Sequence, residues 1–106
     1  MQPVKDPKRT GLKAVPVVFE LDDGCLPDYG EPGNFELRLS QGSVLLACPG
    51  CGRVSGMSIG NPKPSRSPSW LITGEPSAPT FAPSINCEGC CGWHGHLKAG
   101  IYEICK

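Results

Sequence analysis

Apolar residues in this chain come in short runs broken by glycine, proline and acidic side chains, and no run recurs at helical spacing. VPVVFEL (15–21) is rich in β-branched residues and reads as a strand. FELRL (35–39) alternates apolar with polar, which suits a half-buried strand. SQG then supplies a turn and SVLLAC the next strand, a hairpin that delivers Cys48 at its end. RVSGMSIG (53–60) reads as a weak strand, and WLITG (70–74) as a short one with Trp70 as core anchor. EPSAPTFAPSI (75–85) carries three prolines, each lacking an amide donor, so only an extended or edge-like segment is expected. HLKAGIYEIC (96–105) predicts a closing hairpin with Ala99-Gly100 at its turn. The expected class is all-β: a small domain of short antiparallel strands.

The polar, proline-containing residues 1–14 show no periodicity and predict an extended N-terminal arm, followed by a single domain over 15–106. Glycine and proline supply 14 and 12 of the 106 residues, and only seven are aromatic, so the core is modest and calls for a staple. Ten basic residues balance ten acidic ones. The distribution is uneven: Lys5, Lys8, Arg9 and Lys13 outweigh Asp6 in the arm, while Glu20, Asp22, Asp23, Asp28, Glu31 and Glu36 follow as an acidic stretch. Neutrality overall argues against a dedicated nucleic-acid binder, which normally carries a basic excess. No apolar run approaches the ~20 residues that span a bilayer, and MQPVKDPKRT lacks the apolar centre of a signal peptide. The expectation is a soluble protein made and kept in a cytoplasm, neither secreted nor in a membrane. In a reducing compartment, closely spaced cysteines read as metal ligands rather than disulfides.

CPGCG (48–52) has the form of a zinc knuckle. Two cysteines separated by two residues can place both sulfurs on one ion, at about 2.3 Å. Pro49 sets the backbone angle at the start of the turn, and Gly50 and Gly52 permit positive angles while their amides point at the thiolates. Tetrahedral zinc needs two more ligands, and CEGCCGWHGH (87–96) offers Cys87, Cys90, Cys91, His94 and His96. Cys87 with Cys90, and Cys91 with His94, both repeat the two-residue gap. Adjacent Cys90 and Cys91 point apart in an extended chain, so only one of them suits the ion. Trp93 beside His94 is placed to cover the site and exclude water. Cys25 and Cys105 have no partner at ligand spacing and read as small hydrophobes or free thiols.

Residues 43–104, with CPGCG, the tryptophan strand, PT…PSI and CGWHG before a terminal hairpin, resemble a family of small bacteriophage and prophage proteins of unknown function. The resemblance implies a zinc site made by the first cysteine pair and a later Cys-x-x-His. On this chain that singles out Cys48, Cys51, Cys91 and His94, with Cys87 and Cys90 as alternates. It implies a zinc-ribbon-like domain and, for function, a protein–protein interaction factor of a phage. Such a factor would be virion accessory or host-takeover, with other phage or host proteins as partners.

Other classes fit less well. A nucleic-acid-binding ribbon could stack bases on Trp70, Phe81 and Trp93, but only Arg53 and Lys98 lie near the knuckle in sequence. A metal-dependent hydrolase would need an open coordination position and a base; Glu88 is the candidate, and Ser55 and Ser84 have no evident base beside them. A thiol-redox role for Cys48 and Cys51 is permitted by spacing, but the second cluster favours metal capture. Four filled positions describe a structural ion, and no enzyme is expected.

Overall fold

The structure of the chain, a computed structural model, describes residues 6–21, 24–59, 70–87 and 91–105. The proline-rich 61–69 loop, Lys5, Asp22, Asp23, Glu88 and Cys90 lie outside the described residues. The all-β expectation holds. Among the described residues, nine strands form a five-stranded and a four-stranded sheet, with one 3-10 turn over Leu39–Gln41. No described helix is long and apolar enough to cross a membrane.

The strands are β1 (Leu12–Lys13), β2 (Val15–Pro16), β3 (Asn34–Arg38), β4 (Ser43–Ala47), β5 (Val54–Ser58), β6 (Leu71–Glu75), β7 (Ala78–Asn86), β8 (His94–Lys98) and β9 (Ile101–Ile104). The smaller sheet runs β2-β3-β4-β5 and the larger β1-β9-β8-β7-β6. The β3–β4 hairpin and the weak strand β5 stand where the alternation places them. β4 is buried on both faces, as its unbroken VLLA run requires. The β8–β9 turn holds Ala99 at φ 47° and Gly100 at φ 81°, the paired positive angles that bring a tight hairpin into line with strand twist.

Phe35, Val44 and Leu46 from the small sheet face Phe81, Ile85, Leu97 and Tyr102 from the large one. Phe35 meets Phe81 edge-to-face at 6.3 Å, which joins the layers. Beyond β2, Val17 donates its N–H to Phe35 O and the chain crosses the outer face of the small sheet. There Phe19 packs on Leu45 and Ala47. Glu36 Oε1 accepts the Phe19 N–H at 2.9 Å, and Arg38 Nε donates to Oε2 at 3.1 Å. The Phe19 amide, then Arg38, hold the Glu36 carboxyl below its ordinary pKa, against the opposing pull of burial.

Two expectations differ from what forms. Only Val15–Pro16 of VPVVFEL joins a ladder, and that ladder is parallel to β3. EPSAPTFAPSI is no edge: β7 lies between β6 and β8. Of its three prolines, Pro76 precedes the strand and Pro83 falls in the interval where the β7–β8 register breaks, while Pro79 pairs with Gly74 of β6 before the β7–β8 ladder begins. Residues 6–14 lie along the domain. Gly11 and Ala14 donate to Tyr102 O and Gly100 O around β1, which pairs with β9, and Asp6 donates to Gly50 O.

Candidate metal centre and an adjacent serine–histidine pair

The knuckle closes through Cys48 N–H to Arg53 O at 2.9 Å and Gly52 N–H to Cys48 O at 2.7 Å. Gly52 takes φ 83°, which the turn reserves for glycine. Gly50 serves differently: its φ is not positive, but a Cβ there would stand 2.5 Å from Cys91 Sγ and 2.9 Å from Trp93 Cβ. The Gly50 N–H points at Cys48 Sγ, 3.3 Å away.

Cys48, Cys51 and Cys91 bring their sulfurs within 4.8 Å of one another, and Cys48 and Cys91 are 3.6 Å apart. Cys87 lies beside the group, its side chain interacting with Cys48, but its sulfur is not among the three that converge. The hydrogen bond from Cys87 and burial push the Cys48 thiol strongly upward. Burial, then the neighbouring sulfurs Cys48 and Cys51, push Cys91 up to about 11 against a lowering hydrogen bond from the Trp93 amide. Tyr102, buried and facing Cys87 and Cys48, is raised as well. Crowded sulfurs of this kind can ionise together only around a cation, so the cluster could hold a metal ion.

The second pair of thiols comes from the loop joining β7 to β8. Cys87 N–H donates to Trp93 O at 2.8 Å and Gly92 N–H to Cys87 O at 3.2 Å, which closes the loop at its base. Trp93 is fully buried and donates Nε1–H to Arg9 O at 2.7 Å. Arg9 Nη1 reaches Pro49 O at 3.2 Å, so the N-terminal segment straps the knuckle.

His94 is not among the converging ligand atoms. It begins β8, and strand alternation turns Trp93, Gly95 and Leu97 inward and His94 and His96 outward. On the exposed face His94 Nε2 lies 3.0 Å from Ser84 Oγ of β7. The expectation that Ser84 has no base beside it is therefore corrected: the base sits ten residues on, across the hairpin. Alternation in Ser-Ile-Asn and Trp-His-Gly-His-Leu carried the signal, because buried Ile85, Trp93 and Leu97 put Ser84 and His94 on the opposite face. His96 stands across from Glu103 on β9. Cys25 is exposed; Cys105 is half-buried, and its amide donates to His94 O.

The fold and site thus define a small two-sheet β protein with a buried thiol knuckle and a serine–histidine pair on the solvent-facing side of one hairpin. Residues 23–105 match the model of the family described as bacterial ubiquitination-like system serine protease (BubE), and the chain belongs to that family. No curated protein and no solved structure matches the chain. The family assignment overturns the reading as a phage interaction factor, virion accessory or host-takeover: it places the chain with a bacterial system and a protease-related role. An enzymatic role, against which that reading leans, is consistent with the family description.

Proposed function

We propose that this chain is a serine peptidase of a bacterial ubiquitination-like system, with Ser84 as nucleophile and His94 as general base. The observation that supports it is the 3.0 Å contact between Ser84 Oγ and His94 Nε2 on an open face. In a ubiquitination-like system a modifier is joined through its C-terminal acyl group to an amine. The bond to be cut is then an amide whose acyl side is the modifier's tail. Ser84 Oγ adds to that carbonyl carbon as its proton passes to His94 Nε2. His94 returns the proton to the departing amine, which leaves an acyl-serine, and the base then activates water to release the free tail. This requires the His94 tautomer with its hydrogen on Nδ1, so that Nε2 accepts.

The thiol cluster suits zinc. A tetrahedral ion with bonds of about 2.3 Å sets its sulfurs about 3.8 Å apart, and Cys48 and Cys91 stand at 3.6 Å. Cys48, Cys51, Cys87 and Cys91 would hold it, and with four thiolates the ion fills its coordination sphere and serves structure. Cys87, an alternate on the sequence, thus takes the place that the resemblance gives to His94. Ser84 lies three residues before Cys87, and His94 three residues after Cys91. Clamping the loop between them sets the spacing of β7 and β8 and holds serine against histidine.

The test is cleavage of a purified modifier–target conjugate of such a system. Wild-type protein should release free target, and Ser84→Ala should lower kcat by about 10³-fold or more while retaining the wild-type melting temperature. Undiminished cleavage by Ser84→Ala would remove Ser84 from the chemistry.

A further inference from the structure

Ser84 sits in the irregular part of β7. Between Phe81 and Ile85 β7 has three residues, 82–84, whereas β8 has only His96 between the partners Leu97 and Gly95. The β7–β8 ladder is interrupted there. On the other side the β6 ladder ends where Leu71 faces Ala82. Pro83 has no amide hydrogen to give. Ser84 is half-buried on this bulge, and its backbone needs a support other than the sheet.

Trp70 supplies one. Its indole Nε1–H donates to the Ser84 carbonyl oxygen at 3.3 Å. Its ring packs against the core cluster. Its own amide donates to Ser58 O at 2.8 Å, and the residue bridges Ile59 in parallel. The indole therefore ties the Ser84 peptide to the end of β5, in the opposite sheet. Holding that carbonyl limits rotation about the Ser84 backbone, and the same backbone aims Oγ at His94.

We infer that Trp70 is a positioning residue for Ser84, acting through a hydrogen bond to the nucleophile's own carbonyl. This rests on the assignment of Ser84 and His94 as nucleophile and base. A misplacement of about 1 Å can cost about a hundredfold in rate, so losing the donor should slow the attack without weakening the binding of what is attacked.

The experiment uses a fluorophosphonate probe, in which Ser84 Oγ displaces fluoride from phosphorus and the serine proton passes to His94. The full chain is compared with Trp70→Phe and with benzothienylalanine at position 70, which keeps the two-ring shape and replaces N–H by sulfur. Both should show the maximal labelling rate reduced about tenfold or more, with the half-saturating probe concentration, melting temperature and bound metal unchanged. An unchanged maximal rate in the benzothienylalanine protein overturns the inference and leaves the serine–histidine reading intact. A rate that falls only in step with melting temperature in both proteins also overturns it, since the ring would then matter for packing alone. Wild-type protein that takes no label at Ser84 removes the parent reading and this one together.

Discussion

The two faces of the β7–β8 hairpin are built from opposite materials. Inward, its loop contributes half-buried Cys91 to the thiol cluster, with Cys87 beside Cys48, and Trp93 and the N-terminal strap pack next to it. Outward, half-buried Ser84 and exposed His94 stand within hydrogen-bonding distance. Of the inner groups, Cys48 and Cys91 have pKa values raised by neighbouring thiols and burial, so they ionise together only with a cation beside them. The outer pair lies on the solvent-facing side of the hairpin. A side chain's face therefore says more about its use here than its spacing in the sequence, because Cys91 and His94 are only three positions apart.

The largest expected effect comes from the inner face. Cys48→Ser should abolish stoichiometric zinc and with it the folded domain, since structural zinc sites contribute about 10 kcal/mol or more in small domains. Metal content and the thermal melt would show it. A cooperative melt at the wild-type temperature in metal-free Cys48→Ser would mean that the thiols are ordinary core residues.

Next comes a pair of substitutions that separates the faces directly. Cys87→Ser should lose or sharply weaken metal binding. His94→Ala should keep the metal and the fold while peptide cleavage falls by about 10³-fold or more. Metal lost from His94→Ala and kept by Cys87→Ser would reverse the assignment of the fourth ligand.

The smallest effect lies away from both faces, at the strap over the small sheet. Glu36 has a depressed folded-state pKa, so its contribution is full above the unfolded carboxyl value of about 4.3 and is lost as pH falls through the lower folded value. Glu36→Gln should cost about 1 kcal/mol at pH 7 and progressively less as the solution is acidified below pH 4. A cost independent of pH between 7 and 3 would show that the carboxylate charge plays no part. Activity measured on the still-folded variant should not change.

Much of the architecture was legible because strand alternation is a local property. FELRL, SVLLA, RVSGM and WLITG each carried enough pattern to place a strand, and Ala99-Gly100 marked its hairpin. The β7 segment was hidden by its prolines, whose cost depends on whether a partner carbonyl is left waiting; the register break at 81–85 removes that demand. VPVVFEL read as a full strand, but after Pro16 its apolar side chains pack on a sheet face rather than extend a ladder.

By itself the sequence determined that this is a small all-β domain and that a CPxC turn carries two thiols able to share an ion. Both follow from residue type and near-neighbour spacing. Only the tertiary structure decided which distant groups meet. Cys87 and Cys91 turn inward with their loop, whereas His94 has already entered β8, where the two-residue period sends it to the other side. Ser84 and His94 become neighbours only when the hairpin closes and the β7 bulge shifts the register. That pairing depends on how two strands align, and no short-range pattern specifies the alignment.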